Sequence, residues 1–128
     1  MTTLLNTLYS HFGRENVIQI EKRQGVFLCE KKTADNETYQ VIFIDMTDNW
    51  REENYSQYLE SVVIDRYYQT ASFIQWNFYY YIITTKEKIN ESIVRKKDIE
   101  IDETYTRKSV LTEVEFIDWV NSFDSISK

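Results

Sequence analysis

The segment from Asp65 to Thr84, DRYYQTASFIQWNFYYYIIT, constrains the fold of this chain more than any other. Eight of its residues are aromatic: Tyr67, Tyr68, Phe73, Trp76, Phe78, Tyr79, Tyr80 and Tyr81. Aromatic side chains bury large areas, and the polar tips of Tyr and Trp need partners when they do so. No glycine or proline interrupts residues 73–85, so the spacing predicts one long strand that can sit inside a sheet. A two-residue period places Ile74, Trp76, Phe78, Tyr80 and Ile82 on one face, expected to be core. Phe73, Gln75, Asn77, Tyr79, Tyr81 and Ile83 share the other face, expected to lie under a helix or to meet a partner.

The rest of the pattern places this strand in an α+β domain. Leu4, Leu5, Leu8 and Phe12 share one face of a first helix, which Gly13 ends. Residues 16–20, 26–32 and 39–46 read as three strands of an antiparallel β-meander, with Asp35 and Asn36 turning the last pair. The continuous block Val41 to Ile44 predicts a strand covered on both sides. Residues 47–54 read as a loop. Tyr58, Leu59, Val62, Val63 and Tyr67 follow a helical stripe. A short helix is expected within 86–97, a loop at 98–104 and a strand at 105–111. Thr112 and Glu115 form a capping box for a last helix ending near Phe123. The predicted order is α-β-β-β-α-β-(α)-β-α: a mainly antiparallel sheet of about five strands with helices packed on it. Residues 1–123 form the single domain and 124–128 a frayed tail.

Composition removes several function classes. The chain has no proline and only Gly13 and Gly25, so phosphate-cradling and dinucleotide-binding glycine loops are absent. Turns fall to Asn, Asp, Ser and Thr. A net charge of −6 argues against non-specific binding to nucleic acid by the whole surface. One histidine (His11) and one cysteine (Cys29) are too few for a structural zinc site, and a lone cysteine cannot form an internal disulfide. The lone thiol and the lack of an export signal point to the cytoplasm. No apolar run reaches the ~20 residues of a membrane span.

Two constellations bear on chemistry. Glu30-Lys31-Lys32 ends an apolar strand and contains Glu-x-Lys. In nucleases with a central sheet, such a pair and a further acid on a neighbouring strand hold Mg²⁺ and position water. Residues 14–25 contain no Asp, so this alternative, a divergent metal-dependent nuclease with a PD-(D/E)xK-like core, draws on Glu30, Lys32 and Asp45. Separately, Arg66 lies near the end of the central helix, placed to pair with a carboxylate or stack on a ring.

Ser72 to Tyr81 (SFIQWNFYYY) and Ile101 to Phe116 (IDETYTRKSVLTEVEF) together carry a resemblance. In the first, Gln75-Trp76-Asn77 opens an aromatic strand. In the second, Tyr105-x-Arg107-Lys108 opens a strand that leads through Thr112-Glu113 into a helix. The pair resembles the small middle components of bacterial ABC-three-component defence systems of the Lamassu type, over about residues 15–118. The resemblance implies a non-enzymatic accessory subunit with no cofactor, docking on an SMC/Rad50-like ATPase and serving an effector protein. It implies contact with DNA only through that complex, and no membrane. Arg66, Trp76, Asn77, Tyr105, Arg107 and Lys108 are the expected binding or scaffold positions.

Overall fold

The computed structural model describes residues 2–20, 24–70, 72–75 and 77–127. Helix α1 (Thr2–Phe12) leads through a 3-10 turn (Arg14–Asn16) into strands β1 (Val17–Gln19), β2 (Val26–Lys32) and β3 (Thr38–Asp45). A second 3-10 turn (Asn49–Arg51) precedes α2 (Tyr55–Tyr68) and the short α3 (Ser72–Gln75). Strand β4 (Phe78–Thr84), α4 (Lys86–Glu91), α5 (Ile93–Ile101), β5 (Arg107–Thr112) and α6 (Glu113–Ser127) complete the chain. The protein is therefore α+β with a five-stranded sheet, as its hydrophobic pattern predicts.

The sheet is mixed, which sharpens the expectation of a mainly antiparallel one. Strands follow sequence order across it. β1–β2 and β2–β3 pair antiparallel, whereas β3–β4 and β4–β5 pair parallel. Connection length explains the difference, because parallel neighbours need a long crossover and hairpins do not. Helices α2 and α3 carry the chain from β3 to β4, and α4 and α5 carry it from β4 to β5.

Helices cover both faces. On one, Leu59, Val62 and Val63 of α2, Ile89 of α4 and Ile99 of α5 pack on Val41, Phe43, Phe78, Tyr80, Ile82 and Val110. On the other, Leu4, Leu8 and Phe12 of α1 join Phe116 and Val120 of α6 against Cys29, Ile42, Ile44, Tyr81 and Ile83. Burial of this kind contributes about 25 cal/mol per Å² of apolar surface. The Phe43 and Tyr80 rings stack at 5.7 Å in the first layer, and Tyr81 meets Trp119 at 5.0 Å in the second. Gly13 ends α1 at φ +89, a left-handed conformation that glycine tolerates best.

Three expectations are corrected. The strand read at 73–85 begins only at Phe78, and residues 72–75 are helical. The Gln75 side-chain amide donates to the carbonyls of Tyr67 (2.8 Å) and Thr70 (3.3 Å), and the Asn77 amide donates to the Ile74 carbonyl (2.8 Å). These bonds hold the chain in a turn after α2, where a two-residue period would run straight through. The loop read at 98–104 is helical as far as Ile101, and α6 continues to Ser127 instead of ending near Phe123. The capping box stands as expected: Thr112 Oγ1 accepts from the Glu115 amide at 3.2 Å, and Glu115 Oε1 accepts from the Thr112 amide at 2.9 Å.

Strand β5 closes one edge of the sheet. Its Val110 amide donates to Glu100 of α5 at 2.9 Å, just as its Thr112 amide donates to Glu115 of α6. Two carboxylates thus occupy backbone donors that an edge strand would offer to another chain. Lys96 holds Glu100 in place at 2.7 Å. Replacing Glu100 by Ala should leave the Val110 amide unpaired and cost about 1–3 kcal/mol. Urea denaturation measures the loss, and sedimentation velocity should show increased self-association; an unchanged midpoint would show that the edge needs no such cover.

Candidate functional site

Glu30 and Asp45 do not share a site. In the β2–β3 ladder Glu30 faces Val41 while Asp45 faces Val26, four positions further along. At the rise of a strand that separation is about 13 Å. The metal-nuclease constellation of Glu30, Lys32 and Asp45 is therefore corrected: only Glu30 and Lys32 lie near one another, with Lys32 Nζ 3.9 Å from Glu30 Oε2. Among the described residues no group of three or more His, Cys, Asp or Glu could hold a metal ion.

Glu30 is instead the anchor for Arg66. Arg66 Nε donates to Glu30 Oε1 at 2.9 Å and Nη2 donates to the same oxygen, while Nη1 donates to Thr70 Oγ1 at 3.1 Å. Thr38 Oγ1 donates to the second Glu30 oxygen at 3.1 Å. The cluster ties the end of α2 to β2 and β3, so Arg66 is a scaffold residue turned inward. Charge-assisted bonds of this kind are stronger than neutral ones. Removing either partner alone should cost about 1.5–3 kcal/mol, because the other is left partly buried without its charge. In a double-mutant cycle Glu30→Ala with Arg66→Ala should cost less than the sum of the single changes; strict additivity in urea melts would dissolve the pair.

Asp45 ends β3 in a buried setting. It accepts from the Thr47 amide at 2.8 Å, Thr47 Oγ1 at 2.6 Å and the Tyr80 hydroxyl at 2.5 Å. Burial nevertheless outweighs these donors and pushes its carboxyl above the ordinary aspartate range. The folded chain then keeps a proton that the unfolded chain releases. Its contribution is fully present below the ordinary aspartate pKa and is lost as pH rises through the elevated value. Asp45→Asn should therefore gain stability relative to the natural chain as pH rises from about 4 to about 8. Thermal melts across that range test it, and a constant offset at every pH would contradict it. Burial also pushes the Cys29 thiol up to about 12, leaving it a packed apolar group.

The remaining expected binding positions divide between inside and outside. Asn77 donates its side-chain amide to the Tyr39 carbonyl at 2.7 Å, which clasps β4 to β3. Trp76 lies outside the described residues. Lys108 points inward and is only 8% exposed. Its ammonium donates to the carbonyls of Asp102 (2.7 Å), Thr104 (3.0 Å) and Thr106 (3.2 Å), which spends its three protons. Burial holds its pKa below the usual lysine range, against the pull of Asp102 and Glu103. Arg107 stays exposed, 5.9 Å above the Tyr79 ring and 3.7 Å from Glu103.

Tyr105 is the expected position that reaches a cleft. Lys108 gathers residues 102–106 into a loop in which Tyr105 adopts φ +66, rare outside glycine. The Tyr105 ring packs edge-on to Tyr67 (5.1 Å) and Tyr68 (6.3 Å), both at the end of α2. Its hydroxyl lies 3.5 Å from Glu60, and Tyr68 and Glu60 together hold it above its usual range. Beside this cluster the loop and α2 enclose a cleft of about 110 Å³. Tyr55, Leu59 and Val63 give it apolar walls, and Glu60, Asp102 and Lys108 its charged groups.

Sequence reasoning named Tyr105 but not Glu60 or Tyr68, which the fold places beside it. The signal was there: Glu60 and Tyr67 are two helical turns apart and share one face of α2. The chain matches no protein-family model, no curated protein and no solved structure. Among the described residues no helix is long and apolar enough to cross a membrane.

Proposed function

We propose that this chain is a non-catalytic accessory subunit of a bacterial anti-phage or anti-plasmid complex. It docks on an SMC/Rad50-like ATPase and helps couple DNA sensing to an effector. The observation that carries docking is the exposed tyrosine cluster at the end of α2, where Tyr68 is 66% exposed beside the Tyr105 loop and its cleft. Tyrosine at the centre of a surface patch is a typical interface anchor, offering area and a hydrogen bond at small entropic cost. The class of partner rests on the resemblance of residues 72–81 and 101–116.

The internal bonds of Glu30 support a scaffold role over a catalytic one. Both of its oxygens are engaged by Arg66 and Thr38, which leaves its charge already matched. On this reading the tyrosine cluster contacts the ATPase, while Arg66, Asn77 and Lys108 keep its support rigid.

On this reading a neighbouring gene encodes the ATPase, and tagged protein expressed with that gene's product should co-purify with it. Tyr68→Glu should weaken the association at least about tenfold, the size expected for an interface anchor. Tyr68 is 66% exposed but its ring packs on Tyr67 and Tyr105, so its variant should stay folded with a small fall in melting temperature, against which the loss of association is read. Normal association of Tyr68→Glu would remove the cluster from the interface. Plasmid cleavage with Mg²⁺ that is lost in both Glu30→Gln and Lys32→Ala would overturn the non-catalytic reading.

A further inference from the structure

We infer that the cleft between α2 and the 102–106 loop receives an arginine side chain presented by a partner protein. The inference rests on the docking reading and gives it a chemistry.

An arginine has an apolar stem and a planar cationic head, and a receptor must match both. Leu59, Val63 and Tyr55 line the cleft for the stem. At its rim, Glu60 accepts one hydrogen bond from a described side chain, the Tyr105 hydroxyl, and no described lysine or arginine pairs with it. The neighbouring Tyr68 and Tyr105 rings likewise have no described cation over them. A guanidinium there can pair with the carboxylate and lie against a ring face, which strengthens as water is excluded.

The same surface already holds one guanidinium against a ring, with a backbone carbonyl as its acceptor. Tyr55, on the cleft wall, carries the guanidinium of Arg95 over its ring at 4.8 Å, and Arg95 Nη1 donates to the Glu52 carbonyl at 2.8 Å. At the rim a second ring, Tyr105, stands beside the Glu60 carboxylate, and no described cation lies on either.

Lys108 decides the sign of the ligand. It is the cation of the cleft, but its donors are taken by the carbonyls of Asp102, Thr104 and Thr106. It has no proton to offer a phosphate or carboxylate. Glu60 and Asp102 outnumber it among the lining groups, so the cleft is net acidic. Arginine fits better than lysine because its planar head can stack and bond at once.

The test uses the isotopically labelled full chain and the peptide acetyl-Gly-Arg-Gly-amide at low salt, followed by NMR. The control peptide carries citrulline, which keeps the shape and loses the charge. Saturable shifts should centre on Tyr55, Glu60 and Tyr105. Binding should be weaker by about tenfold for the citrulline peptide and for Glu60→Gln, the loss of one charge-assisted contact. Glu60 is exposed on a helix, and the spectrum of Glu60→Gln reports directly that it folds. Tyr68→Ser should weaken binding less, and added salt should weaken it further. Equal binding of the two peptides, an unaffected Glu60→Gln, shifts centred elsewhere, or the absence of saturation would each overturn the inference. Tighter binding of inorganic phosphate at the same residues would overturn it too. The ATPase is not needed here, so arginine binding without co-purification would overturn only the ATPase reading. Co-purification without arginine binding would overturn only this inference.

Discussion

Strand β4 has to satisfy two cores at once, and the rest of the molecule is arranged around that demand. Phe78, Tyr80 and Ile82 face α2, α4 and α5, while Tyr81 and Ile83 face α1 and α6. A strand that is apolar on both faces carries little information about its own register, since a slip of one residue exchanges one apolar set for another. Polar tips supply what the apolar pattern lacks. The Tyr80 hydroxyl reaches Asp45 at the end of β3, and the Asn77 amide reaches the Tyr39 carbonyl near its start. The two bonds fasten β4 to β3 at both ends of the shared ladder. This gives the burial of Asp45 a structural return: a carboxylate there costs desolvation and selects one alignment of the aromatic run.

Most of the elements were legible because each rests on local chemistry. The spacing of Leu4, Leu8 and Phe12 shows α1, the turn residues around Asn36 show the β2–β3 hairpin, and Thr112 with Glu115 shows the start of α6. What was not legible depends on residues far apart or on geometry that no period encodes. A two-residue period cannot report that Gln75 reaches back to the carbonyls at the end of α2. Nor does it report strand direction, which follows from the length and helical content of the connections. The acidic stretch before β5 reads as loop by composition, yet Ile99 is wholly buried and Glu100 bonds β5, so tertiary contact draws the helix on to Ile101.

The placement of the expected site residues follows a related logic. A charge in a sequence announces a need for a partner but not where the partner is. Arg66 finds Glu30 across thirty-six positions, and Lys108 finds three carbonyls of its own loop. Of the binding and scaffold roles expected for them, both take the scaffold one. Tyr105 differs: its ring is held at the surface by two other rings, and its hydroxyl faces an acid that no described cation reaches.

The cleft follows from how a chain with only two glycines and no proline can build a tight loop. Residues 102–106 must turn sharply between α5 and β5, and Tyr105 takes the left-handed conformation that glycine would ordinarily supply. That conformation is held from two sides. Beneath it, the Lys108 ammonium binds three carbonyls and points them at one centre. Above it, Tyr67 and Tyr68 pack against the ring. With glycine at 105 the backbone would turn more easily but nothing would stand against α2, and the tyrosine surface would end at Tyr68. The loop's unfavourable backbone and its exposed ring are thus one feature: the residue that is hardest to fit in the turn is the one that gives the turn a surface.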